Sequence, residues 1–225
     1  MSKKDSNETT SSKVTSFLSK NKVFFLVSLL VLCLALIAFI VISKVTSSAK
    51  EKSLSKIDEI SFALTDGSDS LSEDELLTRR TEALASLAPF NSKGGIVGAR
   101  ANLLSGEISY QLSQYEVAAD FYKSAAERSK NNYLYSISMY NLAVMYEEQQ
   151  MIDKASESYK AAYENKNCLF ASHAGFSYAR TLETLGKYQE AISVYESVND
   201  KFSGESWANL SKTRIIAIKA EKKVE

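Results

Sequence analysis

A spacing of about 36 residues recurs in the second half of the chain. Three alanines, Ala118, Ala155 and Ala191, lie 37 and 36 residues apart. Each has a tyrosine four positions after it and a glycine or alanine twelve positions before it. A period of this length is typical of arrays in which one small unit of secondary structure stacks on the next. The accompanying residues are Tyr122, Tyr159 and Tyr195, and Gly106, Ala143 and Ala179.

Small and aromatic residues at this spacing indicate pairs of packed helices. A small residue on the first helix lets the second helix approach, and the aromatic residue fills the gap between neighbouring pairs. Gly186, and Gln150 in the middle unit, are predicted to make the turn within a pair. Pro occurs once and Gly eight times in 225 residues, which also favours helices. We therefore predict an all-α fold.

The last unit resembles the tetratricopeptide repeat. The middle unit fits almost as well, whereas the first has Ser105 and Ser109 where larger apolar residues usually lie. The resemblance implies an α-solenoid of three repeats, over residues 99–132, 136–169 and 172–205. The matching residues of the last unit are Tyr178-Ala179, Leu182, Leu185-Gly186, Tyr188, Glu190-Ala191 and Tyr195.

Stacked repeats need their exposed ends covered, so we expect a helix on each side of the array. Residues 71–98 are predicted to form an N-terminal capping helix, ending at Pro89, and a loop. Residues 206–225 are predicted to form a C-terminal capping helix. Its predicted apolar side carries Trp207, Leu210, Ile215 and Ile218.

An apolar run of twenty residues, 23–42, precedes the repeats, and Ser28 is its only polar member. Twenty helical residues span about 30 Å, the thickness of the hydrocarbon core of a bilayer. We therefore predict one transmembrane helix over residues 23–42. Two alternatives stay open: cleavage of a signal peptide at residues 47–49, which read Ser-Ser-Ala, and a lipoprotein modified at Cys33.

The orientation of this helix depends on the lysines beside it, five before and four soon after. This near balance makes the positive-inside rule a weak guide. Residues 1–22 are predicted to be a disordered cytoplasmic leader, and residues 43–70 a juxtamembrane helix or linker. The N-terminus is predicted to lie inside and the repeat domain on the outer face of the membrane, because this domain follows the span as a segment that can be translocated.

Charge distribution argues against nucleic acid as a partner. Residues 57–225 hold eighteen basic and twenty-four acidic side chains, a net charge of −6, whereas phosphate binding needs a basic stripe on the folded part. Four lysines follow the apolar run within residues 43–56. These lysines suit anionic lipid headgroups.

Candidate catalytic and metal-binding residues are scarce. His173 is the only histidine, so the usual general base and metal ligand is available at one position. A zinc site at His173 and Cys168 would lack its remaining ligands. Residues 94–98 resemble a phosphate loop, but no strand is predicted before them and no Lys-Ser or Lys-Thr pair follows Gly98. We predict no enzyme activity, cofactor, metal or small-molecule substrate.

In tetratricopeptide repeats the first helix of each unit lines a concave groove. The resemblance implies that this groove carries an apolar and aromatic strip beside acidic residues, which suits an apolar or mildly basic protein segment. Members of the family that clamp the terminal carboxylate of a peptide have Lys and Asn at several groove positions. This chain offers only Arg100 and Arg180 there, so no such clamp is expected. Alternatively, Tyr140 and Phe176 pack against upstream helices and fill the groove. The predicted groove residues are Tyr110, Ile137, Tyr140, Val144, Phe176 and Arg180.

The order of a short polar leader, one apolar run and a long stretch of degenerate helical repeats resembles the YfgM-like family. The resemblance implies a bacterial inner-membrane protein with its repeat domain on the periplasmic face, which assists the Sec translocon and periplasmic chaperones. The expected function is that of an adaptor, which binds translocon, chaperone or client polypeptides and is anchored in the bilayer by its transmembrane helix. The alternative is a structural subunit of a cell-wall or outer-membrane biogenesis complex.

Overall fold

The computed structural model describes residues 15–222 of the chain. The chain divides into two compact units, residues 1–52 and 53–225. Regular structure within the described range is helical, without a strand. The predicted all-α class is therefore confirmed.

The first unit contains helical residues 15–20 and the beginning of a long helix, α1 (Lys22–Thr65). No glycine or proline occurs in α1, so nothing in its sequence interrupts the ladder of backbone hydrogen bonds. The side chains of residues 23–42 are all exposed. An 18-residue window of this helix has a mean hydropathy of 3.3 and no buried residue. This part of α1 is a candidate membrane span.

The prediction of disorder for residues 1–22 is wrong for residues 15–20, which are helical, while residues 1–14 lie outside the described range. The Phe17 ring packs edge-on against the Phe25 ring, with 6.1 Å between centroids. This contact extends the apolar surface towards the N-terminus, beyond the predicted start of the transmembrane helix at residue 23. The helical part of residues 43–70 reaches Thr65 and is followed by a 3₁₀ turn at Ser68–Ser70.

The second unit begins within α1 at Ser53. Eight further helices follow in the described residues. They are α2 (Glu73–Asn91), α3 (Gly95–Gln111), α4 (Tyr115–Arg128), α5 (Leu134–Glu148), α6 (Ile152–Tyr163), α7 (Ala171–Thr184), α8 (Tyr188–Lys201) and α9 (Ser206–Lys222). Three consecutive pairs of them, α3–α4, α5–α6 and α7–α8, lie in the region of the predicted repeats.

Helix α2 starts at a capping box and ends later than expected. The Ser72 hydroxyl accepts a hydrogen bond from the Glu75 backbone amide, and the Glu75 carboxylate accepts one from the Ser72 backbone amide. The helix continues through Pro89 to Asn91, so the predicted end at Pro89 is wrong. Fully buried Leu87 belongs to a core cluster with α1 and α3, and Phe90 packs against that cluster. We attribute the continuation to this packing, which offsets the hydrogen bond that Pro89 cannot make.

Helix α3 begins four residues before the predicted start of the first repeat at residue 99. Gly98, predicted to lie in the preceding loop, lies inside the helix and is buried. A Cβ atom at Gly98 would lie 1.7 Å from the Lys93 carbonyl oxygen. Only glycine therefore allows the chain to enter α3 along this path.

The first helix of each pair ends in the same turn. The turn residues Ser113, Gln150 and Gly186 have φ angles of 57°, 59° and 74°, which is the left-handed region. Each turn amide donates to the carbonyl three positions earlier, and the next amide donates to the carbonyl five positions earlier, at 2.8 to 3.0 Å. These bonds form a Schellman motif. The predicted turns at Gln150 and Gly186 are confirmed.

The repeated tyrosines lie between the helices of each pair. Tyr122, Tyr159 and Tyr195 have relative exposures of 3 %, 1 % and 0 %. A Cβ atom at Gly106 would lie 2.7 Å from the Tyr122 ring, so the small residue is what admits the aromatic ring. Ala143 and Ala179, at the equivalent positions, are fully buried in clusters with Tyr159 and Tyr195.

Helix α9 packs against α8 and α7 with a different face from the predicted one. Leu210 is 46 % exposed, so its assignment to the apolar side is wrong. Ala208 and Ser211 are fully buried, and Ile218 is 2 % exposed. These residues follow the three- and four-residue spacing of one helix face, from which Leu210 is offset.

Replacing the two turn residues Gly186 and Gln150 by alanine separates backbone strain from side-chain loss. No atom lies within 4 Å of a Cβ built at Gly186, so Gly186→Ala adds only the cost of a left-handed L residue, about 1 kcal/mol. Gln150 already carries this cost, so Gln150→Ala should change the free energy of unfolding by less than about 0.5 kcal/mol. Chemical denaturation of both variants measures the difference, and equal losses would contradict the strain argument.

Candidate protein-binding groove

Four aromatic side chains form a continuous row across the first helices of neighbouring pairs. The Tyr140 hydroxyl on α5 lies 2.8 Å from Nε2 of His173 on α7. The His173 ring stacks on the Trp207 ring of α9, with 3.9 Å between centroids and 10° between planes. The Phe176 ring centroid lies 5.1 Å from that of Trp207. We call Tyr140, His173, Phe176 and Trp207 the aromatic row.

Each member of the aromatic row is half-buried. Tyr140 packs edge-on against Tyr159 and against Phe170, with centroid distances of 5.0 and 5.4 Å. Phe176 packs against Tyr195 at 5.4 Å. The rings therefore contact the buried tyrosines on one side and leave part of their surface to solvent. Such a surface can bind an apolar side chain without a large rearrangement.

A repeated carboxylate contact lies beside the row. Glu147 on α5 accepts hydrogen bonds from the Tyr159 hydroxyl at 2.6 Å and from the Arg180 guanidinium at 2.7 Å. One carboxylate thus joins both helices of its own pair to the first helix of the next pair. We call this arrangement the Glu147 bridge.

The same contact recurs one repeat later. Glu183 accepts from the Tyr195 hydroxyl at 3.2 Å and from Arg214 on α9, whose Nε lies 3.3 Å away. Glu183 and Tyr195 each follow their counterparts in the Glu147 bridge by one repeat period, and Arg214 follows Arg180 by slightly less than one period. The bridge thus recurs in the second and third pairs and includes α9 in the array.

Burial and the neighbouring carboxylates set the protonation of these groups. Burial raises the pKa of Tyr159, and its hydrogen bond to Glu147 raises it further. Burial and the charge of Glu183 act in the same direction on the pKa of Tyr195. Both phenols therefore stay protonated and donate. The pKa of His173 is lowered, chiefly by burial and also by the charge of Arg180.

A cleft of about 440 Å³ lies where Phe176 of the aromatic row is close to the contacts of Glu183 with Tyr195 and Arg214. Phe176 contributes an apolar wall, and Arg180 and Arg214 bring basic groups, while Glu183 and Glu221 balance them. Side-chain exposures of 45 % for Arg180 and 41 % for Arg214 leave part of each guanidinium open. The cleft can accept an apolar side chain next to a polar backbone, without a net preference for acidic or basic groups.

The structure brings three of the six predicted groove residues together, namely Tyr140, Phe176 and Arg180. Val144 packs against the buried clusters around Tyr122 and Tyr159, and Ile137 is half-buried. Tyr110 is 41 % exposed, and its ring neighbour within the described residues is Tyr115, 6.0 Å away, not a member of the aromatic row.

The contacts of Tyr140 and Phe176 differ from the alternative in which upstream helices fill the groove. Tyr140 contacts His173 and Ser177 of the next pair, and Phe176 contacts Trp207 of α9. Both side chains therefore pack forward along the array. Their contacts thus join neighbouring repeats.

Trp207 and Arg214 lie beside the groove although neither is predicted there, because the predicted repeats end at residue 205 and the helix that follows is predicted to be a cap. Trp207 follows His173, and Arg214 follows Arg180, by the same interval, which is close to one repeat period. Extending the repeat period into the last helix therefore predicts both Trp207 and Arg214 as groove residues. Their placement makes α9 equivalent to the first helix of a further pair.

Potential metal ligands are dispersed in the described part of the chain. No group of three or more His, Cys, Asp or Glu side chains within residues 15–222 could hold a metal ion. His173 is held between Tyr140 and Trp207. Its ring is thus used in packing.

Comparisons with known proteins identify the repeat. The family model described as tetratricopeptide repeat matches residues 137–167, which lie inside the predicted second unit. The chain is 27 % identical over 152 residues to a TPR repeat-containing protein of Treponema pallidum (strain Nichols), a match that covers 68 % of this chain and 62 % of that protein. The chain thus spans less than two thirds of that relative's length.

Solved structures show the same fold. A crystal structure of kinesin light chain TPR-like repeats from Podosopora anserina aligns with a TM-score of 0.56 and 14 % identity, over 77 % of this chain and 89 % of that one. A single-substitution form of that protein aligns with the same TM-score at 13 % identity, over 77 % and 88 % of the two chains. The chain thus contains a tetratricopeptide repeat at residues 137–167 and has the fold of an array of such repeats, and repeats of this kind imply a role in protein–protein interaction.

Removing the carboxylate of the Glu147 bridge should destabilise the array. Glu147→Ala leaves the buried Tyr159 hydroxyl without its acceptor and Arg180 without its charge partner, a loss of about 2 kcal/mol in the free energy of unfolding. The control is Glu148→Ala, because Glu148 is exposed and forms no side-chain hydrogen bond or ion pair within residues 15–222. Denaturant unfolding compares the two, and a similar loss for both would contradict the bridge.

The lowered pKa of His173 predicts a dependence of stability on pH. Because the unfolded chain binds the proton more readily than the folded protein, stability should decrease as the pH falls through about 6.5. His173→Gln removes this contribution, so this variant should lose less stability than the unmodified protein when the pH is lowered from about 7.5 to about 5.5. Unfolding midpoints of both proteins across this range test the sign, and parallel curves would contradict it.

Proposed function

We propose that this protein is a membrane-anchored adaptor of the bacterial cell envelope that binds polypeptide segments in the groove along the aromatic row. The observation that carries the proposal is the half-buried row of Tyr140, His173, Phe176 and Trp207, which continues across three first helices. A row of rings at repeat spacing can contact several side chains of one extended or helical segment.

The chemistry of the groove favours an apolar or mildly basic segment. Arg180 and Arg214 are each already engaged by a glutamate, so they offer little net charge to an acidic ligand. Glu221 adds an acidic group to the lining of the adjacent cleft. The aromatic row would supply most of the binding free energy through buried apolar area. Unfolded secretory polypeptides and amphipathic helices have this chemistry.

The candidate span in α1 supports the membrane half of the proposal. Its apolar length matches the hydrocarbon core of a bilayer, and its exposed side chains have no other covering in the described structure. In the proposed orientation the N-terminus is cytoplasmic and the repeat domain lies on the periplasmic side of the inner membrane. The repeat domain would then meet polypeptides as they leave the translocon.

A role beside the Sec translocon and periplasmic chaperones is supported by the resemblance to the YfgM-like family. Members of that family combine a short leader, one span and an outward-facing array of degenerate repeats. The chain would gather translocon, chaperone or client proteins through the groove. The second candidate is a structural subunit of a cell-wall or outer-membrane biogenesis complex, in which the groove binds one permanent partner.

Photocross-linking in cells tests the groove. A benzoylphenylalanine at Thr184, which is exposed and lines the cleft, should cross-link to several secretion or chaperone proteins. The double variant Tyr140→Ala, Phe176→Ala should reduce these products by about tenfold, because truncated rings lose buried contact area. Tyr110→Ala is the control, since Tyr110 is an exposed tyrosine outside the aromatic row.

Two results would contradict the adaptor proposal. A single partner recovered at constant stoichiometry and unaffected by the double variant would favour the structural subunit. A topology reporter fused after Glu225 should report the periplasmic side in the same cells. A cytoplasmic reporter signal would overturn the envelope setting, whatever the groove binds.

A further inference from the structure

A second groove lies on the other side of helix α5 and belongs to a different surface. It is lined by α4, α5 and α6 and has a volume of about 420 Å³. Its floor residues Met139, Leu142 and Tyr146 lie on α5. Leu142, in the middle of this floor, is two residues from Tyr140 of the aromatic row. Two residues correspond to about 200° around a helix axis. The two grooves therefore use opposite faces of α5, and this one is independent of the proposed function.

The floor of this second groove is apolar and adaptable. Leu142 is 4 % exposed, and Met139 and Tyr146 are half-buried. Buried Ala126 on α4 and Ser158 on α6 form the sides, and their small side chains leave the space open. A volume of this size accommodates two or three side chains of a ligand. Methionine suits such a floor because its flexible thioether adjusts to different shapes.

The rim of the groove carries three exposed lysines, Lys123 and Lys130 on the α4 side and Lys154 on the α6 side. None of them forms an ion pair within residues 15–222. The Lys154 ammonium lies over the Tyr146 ring, 5.5 Å from its centroid. These ammonium groups remain available to acidic groups of a partner.

The balance of charge separates this groove from other clefts of the domain. The described residues include four clefts of about 410 to 460 Å³. Three of them hold at least as many acidic as basic side chains in their lining, whereas the second groove holds three lysines against Glu127 and Glu157. An excess of positive charge on a domain of net charge −6 favours an acidic partner.

We propose that the α4–α6 groove binds an acidic amphipathic helix of another polypeptide. Two or three apolar side chains of that helix occupy the floor at Met139 and Leu142, and flanking carboxylates pair with Lys123, Lys130 and Lys154. The leader of this chain, residues 1–22, is unsuited to the groove because its net charge is +3. Together with a segment on the aromatic row, which rests on the proposed function, the protein would hold two segments at once, one on each face of α5.

The test uses the full chain in nanodiscs and a labelled helical peptide of about eighteen residues, with leucines at helical spacing and glutamates beside them. Fluorescence anisotropy should show binding that weakens as salt is raised. The triple variant Lys123→Glu, Lys130→Glu, Lys154→Glu should bind at least tenfold more weakly. The control triple Lys187→Glu, Lys212→Glu, Lys219→Glu makes the same charge change outside the groove and should alter affinity by less than about twofold. Helical circular dichroism of both triples verifies that they are folded.

Several outcomes would overturn the proposal. The first is that the acidic peptide does not bind. The second is that a scrambled peptide, or a peptide with lysine in place of glutamate, binds equally well. The third is that the control triple loses as much affinity for the acidic peptide as the groove triple does. Self-association of the chain that competes with the peptide and disappears in the groove triple would assign the groove to a second copy instead. Selective loss in the groove triple alone supports the assignment.

Discussion

The packing of a tyrosine against a glycine or alanine within each helix pair is the contact on which the array depends. The Tyr122 ring occupies the space that a side chain at Gly106 would take, and the same relation joins Tyr159 with Ala143 and Tyr195 with Ala179. Because protein interiors are close-packed, a larger residue at these positions would force the helices apart. Close helix pairs in turn bring the tyrosine hydroxyls within reach of the first helix.

Two of these three tyrosines connect this packing to the contacts between repeats. Tyr159 and Tyr195 each donate to a glutamate that also accepts from an arginine of the following first helix. A buried phenol that found no acceptor would cost about 1 to 3 kcal/mol, so the glutamate position is constrained by the core. The position of the arginine is constrained in turn, because its guanidinium donates to the same glutamate. Packing within a pair is thereby transmitted to the surface where the aromatic row lies.

Stability and binding use the same residues in this row. Tyr140 bonds to His173, and His173 stacks on Trp207, so these rings fix the relation of one repeat to the next. Their remaining exposed faces form the proposed binding surface. A ligand on the row would therefore contact side chains that are already ordered, which lowers the entropic cost of binding.

Much of the fold could be predicted from the sequence because it rests on local rules. Helix pairs, turns at Gln150 and Gly186, and the candidate span depend on neighbours within a few residues, and their patterns are visible in the chain. The end of α2 beyond Pro89 and the exposed position of Leu210 could not be predicted in the same way. There, packing of Leu87 in one case and of Ala208 and Ser211 in the other outweighed the local pattern.

The sequence alone determined that the chain is an array of helix pairs preceded by one long apolar helix, since periodicity and small residues specify each pair. Only the tertiary structure decided which residues share the groove. It placed Trp207 and Arg214 of α9 beside Phe176 and left Tyr110 with Tyr115. The physical reason is that each repeat is rotated relative to the last, so equivalent positions face partners that no single repeat specifies.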